Sequence, residues 1–410
     1  QTMTRELGHL RQQSHVESLQ SLEPALDYIR ETDDGFYRIE QSYQSAQNLP
    51  MMLQYPGLSH FSSAEKPEVM TFLEKMGLKN CYGIWSCYNF GSTAGTDALL
   101  GVRKIMSPQP LNHIKGYPLV EQINGVSIYD NPNALPIAML AEDTVRQVSM
   151  EGDDYFALHN ALWSGIRGEQ IEVVQKEENV QVSFANLQEL YADPVSTYYE
   201  KTEEGAPASV RFEVTISQEK PLYAYFTSQV DDQDVFISVN GVDRGIYFNA
   251  YRWDMFYLGT YSPGEIVTVE MHVSKNELDF GQGYFYYEDL ENLSQVSDTI
   301  RQMPVTLEKQ SGSRLSGNFT AEEDKLLLFT IPYDAGWKVK VDGKSAAAEV
   351  VLDCLLAVPV TAGTHSFELR FIPEGTAAGC VLLITALLWT GYLTVPHEKK
   401  NIRKQNQSVR

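Results

Sequence analysis

The sequence predicts an α+β fold with three parts: a small α/β unit, two antiparallel β-sandwich modules of jelly-roll type, and a C-terminal transmembrane helix. Short strands alternate with helical segments in residues 34–150 of the 410-residue chain. Further along, alternating apolar and polar residues meet at Asn-Gly and Asp-Gly turns, which is typical of β-hairpins. Residues 376–395 contain no charge, as expected for a helix that crosses a bilayer.

The N-terminal part of the chain divides into a helical lead-in and the α/β unit. Residues 1–33 are polar, and apolar residues recur at helical spacing between Leu19 and Ile29. This stretch lacks the apolar core of a signal peptide, so we expect the chain to be a fragment that follows upstream membrane segments. Residues 34–150 alternate short strands with a helix near 65–77, which indicates a mixed α/β domain.

Residues 151–287 and 288–375 are predicted as two β-sandwiches, each preceded by a helical connector. An alternating strand comes before the Asn-Gly at 240–241 and before the Asp-Gly at 342–343. Each turn is followed by a strand, a glycine turn and another alternating strand. This shared order favours a repeated module, although any two hairpins show some alternation.

Residues 376–395 form the predicted transmembrane helix, since about twenty helical residues cross about 30 Å of hydrocarbon. Trp389 and Tyr392 lie near one end, where aromatic rings favour the membrane interface. The tail, residues 396–410, carries five Lys and Arg residues and one acid. The positive-inside rule therefore predicts a cytoplasmic tail, with residues 1–375 outside the cell membrane.

The charge of the chain excludes one class of partner. The formal net charge is −22, and removing the tail leaves 27 basic against 53 acidic residues, a net charge of −26. Nucleic-acid phosphates are bound by clustered Lys and Arg, so nucleic-acid binding is not expected.

No motif predicts an enzyme active site within this chain. The sequence has no GxSxG elbow, P-loop, GxGxxG, HExxH or calcium-binding loop. We therefore predict no catalytic residue, no cofactor-binding residue and no metal ligand here. Cys81 and Cys87 are close enough in sequence to pair, and the alternative is two free thiols.

Two kinds of segment are candidates for ligand binding. Residues 42–65 form a Ser-, Asn- and Tyr-rich loop, which is either a binding loop or a surface connection. Residues 247–257 and 280–289 place many rings beside polar groups, as sugar-binding surfaces do, although such rings are more often core. The candidate substrate-binding residues are Arg38, Asn48, Tyr55, Ser62, Ser63, Tyr251 and Trp253.

Several segments occur in the order found in one bacterial family. Four of them are FYRIE at Phe36, SHFSSAE at Ser59, ALLGVRKIMS at Ala98 and GVSIYDNPNALPIAML at Gly125. The most distinctive are LLLFTIPYDAGWKVKVDGK at Leu326 and the VPVTAGTHSFELRFIPEG that follows it. Over residues 36–395 the chain resembles YfhO-type integral membrane proteins.

The resemblance implies a glycosyltransferase of the GT-C type, in which many membrane helices precede an outward-facing domain. Such proteins are associated with sugar transfer from undecaprenyl-phosphate-linked donors to cell-wall polymers such as lipoteichoic acid. Their catalytic acid lies between early membrane helices, and no position of this chain matches it. The resemblance thus implies an acceptor-binding or scaffolding role, with the bilayer, the donor and the polymer as partners of the parent protein.

A net charge of −26 repels a polyanionic polymer. Divalent cations, or a basic face around Arg38, Arg103, Lys104 and Lys115, would offset that repulsion. The alternative function is a non-catalytic cell-surface module that binds glycan or protein, since a β-sandwich hosts many roles.

Overall fold

The computed structural model describes residues 12–43, 48–88, 91–108, 115–230, 232–249, 254–303 and 305–394. It confirms an α+β protein with mostly antiparallel sheets and one C-terminal apolar helix. Its helices are α1 (Gln12–Thr32), α2 (Leu49–Met52), α3 (Pro67–Lys75), α4 (Ala94–Leu99), α5 (Tyr155–Arg167), α6 (Leu290–Arg301) and α7 (Thr376–Thr394), with a 3-10 turn at Asp143–Gln147.

The first unit is built on a four-stranded sheet with one parallel pair. Its strands, in spatial order, are β1 (Arg38–Gln41), β5 (Val102–Ser107), β7 (Val126–Asp130) and β6 (Leu119–Ile123), and β1 runs parallel to β5. The apolar face of α1 packs against this sheet. A small sheet beside it contains β2 (His60–Phe61), β4 (Trp85–Cys87) and β3 (Lys79–Cys81).

In the first sandwich, a five-stranded sheet packs against a four-stranded sheet. The five-stranded sheet has the order β10 (Val180–Ala185), β13 (Ser209–Thr215), β18 (Ile266–His272), β15 (Val235–Val239) and β16 (Val242–Tyr247). The opposing sheet has the order β17 (Phe256–Gly259), β14 (Leu222–Phe226), β20 (Gly283–Glu288) and β9 (Val174–Lys176). A flanking sheet contains β11 (Leu187–Ala192), β12 (Thr197–Lys201) and β19 (Glu277–Phe280).

The second sandwich has the same two-sheet plan. Its five-stranded sheet has the order β21 (Val305–Ser311), β22 (Arg314–Ala321), β28 (Gly363–Phe371), β24 (Trp337–Val341) and β25 (Lys344–Ala346). The other sheet has the order β26 (Glu349–Val351), β27 (Leu355–Val360), β23 (Lys325–Pro332) and β8 (Ala138–Ala141). Because β8 follows directly on the strands of the α/β unit, that unit supplies a strand to the second sandwich.

The two five-stranded sheets share strand order and turn geometry. In each, two earlier strands (β10 and β13, or β21 and β22) are followed in space by a later strand (β18 or β28) and then by a hairpin (β15–β16 or β24–β25). Asn240 and Asp342 have φ angles of 49° and 50°, followed by glycines at 75° and 74°, as a type I′ turn requires. Each side chain also accepts an N–H at 2.9 Å from the neighbouring strand, from Thr268 of β18 and Ser366 of β28 respectively.

Candidate functional site

Two predicted binding residues, Asn48 and Tyr55, have their polar groups occupied within the chain. Asn48 is left-handed (φ 59°); its Nδ2 donates to the Phe61 carbonyl at 3.0 Å, and its Oδ1 accepts the Phe61 N–H at 2.6 Å. Tyr55 is buried, and its hydroxyl accepts a hydrogen bond from Gln41 Nε2 at 2.7 Å. Both residues therefore shape the loop, and contact with a ligand stays a prediction for each.

Ser62 and Ser63 form a surface turn at the far end of the same loop. Ser62 Oγ accepts the Ala64 N–H at 3.2 Å, while Ser63 is exposed. The nearby Lys66 forms an ion pair with Asp334, which follows β23. This turn is thus anchored to the second sandwich, with the Ser63 hydroxyl facing solvent.

A buried carboxylate, Glu40, holds the middle of the loop. It accepts the N–H groups of Leu58 and Ser59 and the Ser59 hydroxyl, the last two at 2.9 and 3.1 Å. Desolvation by burial raises the pKa of Glu40 to about 7. The folded chain then holds this proton more tightly than the unfolded chain, so Glu40 lowers stability as the pH rises from about 4.5 to about 7.

We expect the Glu40→Gln variant to lose this pH dependence, because glutamine keeps an acceptor oxygen and does not titrate. Between about pH 5 and 7.5, the wild-type chain should lose about 2–3 kcal/mol of unfolding free energy relative to the variant. Urea denaturation at several pH values measures this difference. Parallel curves for the two chains would show that burial does not raise the pKa of Glu40.

The guanidinium of Arg38 is buried and fully engaged. It donates to the carbonyl oxygens of Leu100 and Thr330, and to Thr330 Oγ1 at 3.2 Å. Burial lowers the pKa of Arg38 to about 10, so the group remains charged at neutral pH. Arg38 joins β1 of the α/β unit to β23 of the second sandwich, and its contact with a substrate stays a prediction.

The basic face expected around Arg38 does not form an open positive surface. Arg38 itself is buried. Each of the other three cations lies beside an acid: Arg103 and Lys104 beside Asp33 and Asp130, and Lys115 beside Asp97. These cations therefore cannot offset the net negative charge of the chain.

In the two aromatic segments, Tyr257, Tyr284 and Tyr286 pack in a cluster shared with the α/β unit, and the other described rings pack in the core of the first sandwich. The buried rings of that core are Tyr247, Phe248, Phe280, Phe285 and Tyr287. Alternate aromatic residues in strands normally pack this way. Tyr251 and Trp253, predicted to contact sugar, lie outside the described residues.

A cleft of about 340 Å³ opens at one end of the first sandwich, where segments distant in sequence meet. The antiparallel pairing of β12 with β19 places Tyr198 opposite Asp279. The segment before β15 brings Gln233 to the same place. Around them lie Val230, Asp232, Lys275, Asn276 and Glu277.

Asp279 and Gln233 form a rigid floor for the cleft. The carboxylate of Asp279 accepts hydrogen bonds from the Ser196 and Ser228 hydroxyls at 2.5 and 2.6 Å, and from the Gln229 N–H at 2.5 Å. The Gln233 side chain accepts the Asp279 N–H at 2.6 Å and donates to the Asp279 carbonyl at 2.9 Å. Since these buried groups are satisfied, the floor is preorganised.

A tyrosine stack forms one wall. The Tyr198 and Tyr191 rings lie 4.4 Å apart at an angle of 18°, and Tyr191 is 54% exposed. Desolvation, together with the Asp279 carboxylate, raises the pKa of Tyr198 to about 12. The Tyr198 hydroxyl therefore stays protonated and retains its ability to donate.

The rim of the cleft is mostly polar and contains two acids, one lysine and one asparagine. Lys275 Nζ donates to the carbonyl of Asp232, and Asn276 Nδ2 donates to Glu204 Oε1 at 3.2 Å. Glu277 is exposed. An aromatic wall beside amide and carboxylate groups is suited to stack on a sugar ring and bond its hydroxyls, whereas the acids repel a phosphate.

The described residues contain no group of three His, Cys, Asp or Glu side chains arranged to hold a metal ion. A divalent cation between the chain and a phosphate polymer stays a prediction. Cys81 and Cys87 are buried free thiols, and the hydrogen bond from Cys87 lowers the pKa of Cys81 to about 7.

The membrane character of the chain rests on α7 and on a family match. Thr376–Leu393 is long and apolar enough to span a bilayer, and none of it is buried against the rest of the chain. The family model described as bacterial membrane protein YfhO matches residues 1–383. The chain belongs to the YfhO family. The resemblance noted in the sequence is thereby confirmed.

Other comparisons with this YfhO-family chain are remote, and no curated protein matches it. A conserved protein of unknown function from Pseudomonas aeruginosa PAO1 is 10% identical over 47% of this chain and 93% of its own, with a TM-score of 0.14. A β-glucuronidase from Ruminococcus gnavus is 9% identical over 49% of this chain and 45% of its own, with a TM-score of 0.18.

The arabinofuranosyltransferase AftD from Mycobacteria is 8% identical over 66% of this chain and 30% of its own, with a TM-score of 0.17. This chain thus spans less than half the length of AftD and of the β-glucuronidase. TM-scores this low carry no argument about function.

The sequence did not predict the cleft lined by Tyr198, Gln233 and Asp279, which we call the tyrosine cleft. Tyr191 and Tyr198 stand in the run LQELYADPVSTYYE, a short hairpin rich in aromatics and acids. That run was a usable signal, because exposed aromatic residues in strands are less common than buried ones. The remaining walls come from segments that lie far from this hairpin along the chain, and the sequence does not bring them together.

Proposed function

We propose that this chain is the extracytoplasmic region of a multi-pass membrane glycosyltransferase, which transfers sugar from an undecaprenyl-phosphate-linked donor to a cell-wall polymer such as lipoteichoic acid. In this proposal the residues before α7 face outward and hold the acceptor. The chemical step belongs to membrane helices of the parent protein, since no residue of this chain matches the catalytic acid of such enzymes.

The tyrosine cleft carries the proposal. Tyr198 presents a flat apolar ring that is already supported by Tyr191, so little side-chain freedom is lost when a sugar stacks on it. The fixed floor of Asp279 and Gln233 keeps the shape of the cleft constant. Holding an acceptor close to a membrane-embedded donor accelerates transfer by proximity alone.

The acids of the cleft select which part of the acceptor it holds. Asp232, Glu277 and Asp279 line the same cleft as Tyr198, against one cation, Lys275, and this excess of negative charge disfavours a phosphate group there. We therefore assign the cleft to sugar units of the polymer. Binding of a neutral glycan should then be independent of magnesium.

We expect the full chain in detergent micelles to bind neutral wall glycan saturably, and the Tyr198→Ala variant to bind at least about tenfold more weakly, equivalent to roughly 1.4 kcal/mol. Isothermal titration calorimetry with purified wall glycan and lipoteichoic acid, with and without magnesium, measures this.

The matched control is Tyr199→Ala, the next residue on the same strand. Its ring points to the opposite face of β12 and stacks on Phe184 at 4.8 Å. This variant should bind glycan like the wild-type chain. Equal losses in both variants, or no saturable binding at millimolar ligand, would contradict an acceptor role and leave the domain as a scaffold.

The second candidate is a non-catalytic glycan-binding module, which the same cleft also supports. The two functions differ in what the parent protein contains upstream. Several hydrophobic spans with an outward acidic loop favour the glycosyltransferase, and a single signal peptide favours the binding module.

A further inference from the structure

The outer face of the second sandwich carries a row of cations beside the membrane helix. Register places Arg314 of β22 opposite Arg370 of β28, and Arg370 opposite Lys338 of β24. All three side chains are exposed and lie on one face of the sheet. We call these three residues the basic row.

The basic row does not help to stabilise the sheet in which it lies. Like charges on directly opposed residues of neighbouring strands destabilise a sheet. Arg314 is paired with Glu368 at 2.7 Å, and Lys338 Nζ donates to the Ala335 carbonyl at 2.9 Å. Arg370 forms no ion pair within the part of the chain that the structure describes. The row therefore has spare positive charge, in a protein whose net charge is −22.

The neighbouring positions on this face add one more cation and a shallow depression. Lys340 lies beside Glu368 in the next cross-strand row. A depression of about 280 Å³ is lined by Arg314, Lys340, Glu368 and Glu308, together with serine and asparagine side chains. In the row and this depression, four cations (Arg314, Lys338, Lys340 and Arg370) stand against two acids (Glu308 and Glu368).

The basic row lies next to the point where the chain enters the bilayer. Arg370 is six residues before Thr376, the first residue of α7, a span of at most roughly 22 Å. The linker is held close to the sheet, because the Ile372 N–H donates to the Gly336 carbonyl at 2.9 Å. Glu374 is the one acid in this linker. The headgroup layer on each side of the hydrocarbon is about 5–8 Å thick, and the short linker keeps the second sandwich next to it.

Aromatic and apolar groups around the linker agree with an interfacial position. Trp337 packs on Phe371 with ring centroids 5.1 Å apart, at the same end of the sheet. Ile372 is 36% exposed. Indole rings and flanking cations are the groups that anchor a protein at the boundary between water and lipid.

We infer that the basic row is a second membrane contact of this protein, in which Arg314, Lys338 and Arg370 bind the phosphate groups of anionic lipids around α7. The contact fixes the orientation of the second sandwich on the bilayer surface. Lys and Arg near an anionic membrane each strengthen binding about fivefold, and salt weakens the effect.

The test is thermal denaturation of the full chain in detergent micelles, titrated with phosphatidylglycerol or with phosphatidylcholine. Phosphatidylglycerol should raise the unfolding temperature saturably in low salt, and phosphatidylcholine should not. In the triple variant Arg314→Gln, Lys338→Gln, Arg370→Gln, the phosphatidylglycerol concentration for half of the effect should rise at least about tenfold.

The matched control replaces three exposed cations of the first sandwich, Lys176, Arg211 and Arg244, with glutamine. This control should respond to phosphatidylglycerol like the wild-type chain. Equal responses of both triple variants, or equal effects of the two lipids, would overturn the inference. Saturation by glycerol phosphate at the same concentrations would also overturn it, because the row would then bind soluble phosphate groups without a bilayer.

Discussion

Replacing Asp97 with alanine is expected to lower the free energy of unfolding by about 3–5 kcal/mol, the usual cost of leaving a buried charge without its partner. Asp97 is completely buried, and its carboxylate accepts hydrogen bonds from Lys115 Nζ at 2.8 Å and from the Tyr88 and Tyr117 hydroxyls at 3.0 and 2.8 Å. Alanine would leave the Lys115 ammonium, 10% exposed, without its ion-pair partner.

Urea denaturation of the chain in detergent micelles measures this loss, followed by tryptophan fluorescence, to which the buried Trp163 contributes. The double variant Asp97→Ala, Lys115→Met should be more stable than Asp97→Ala alone, because it removes the unpaired charge as well. A double variant less stable than the single one would show that Lys115 stabilises the fold through contacts other than that with Asp97.

Replacing Arg38 with methionine is expected to cost about 3 kcal/mol, because the carbonyl oxygens of Leu100 and Thr330 would lose charged donors in a buried site. Arg38→Lys should fall between methionine and the wild type, since one ammonium cannot reproduce the fork of a guanidinium. The same denaturation experiment measures both variants.

The control for Arg38 is Arg211→Met, which removes an exposed arginine paired with Glu213. Its stability should stay within about 0.5 kcal/mol of the wild type. A normal stability for Arg38→Met together with weaker glycan binding would instead favour the substrate contact predicted for Arg38 from the sequence.

Local sequence patterns were sufficient to predict the elements that depend only on residues close together along the chain. Asn240-Gly241 and Asp342-Gly343 require positive φ at both turn positions, and their turns form as predicted. Residues 376–394 form the expected helix, because an uncharged helical run satisfies its own backbone hydrogen bonds in lipid. The repeated strand order could be predicted for the same reason, since each module has its own alternation of apolar and polar residues and its own turn.

Electrostatic roles were beyond the reach of the sequence. Arg103, Lys104 and Lys115 look like free cations in one dimension, yet each lies beside an acid that is distant along the chain. In contrast, Arg314, Lys338 and Arg370 stand on three different strands and become neighbours only through sheet register.

The amino-acid sequence was enough to predict the α+β class, the hairpin turns, the apolar terminal helix and the family. Each of these depends on residues that are close along the chain or on the order of whole segments. Which aromatic rings are core, which are exposed and which charges are paired could be read only from the packed strands. Tyr198 and Tyr287 stand in similar runs, and β12 leaves one half-exposed while β20 buries the other, because burial depends on strands that are distant in sequence.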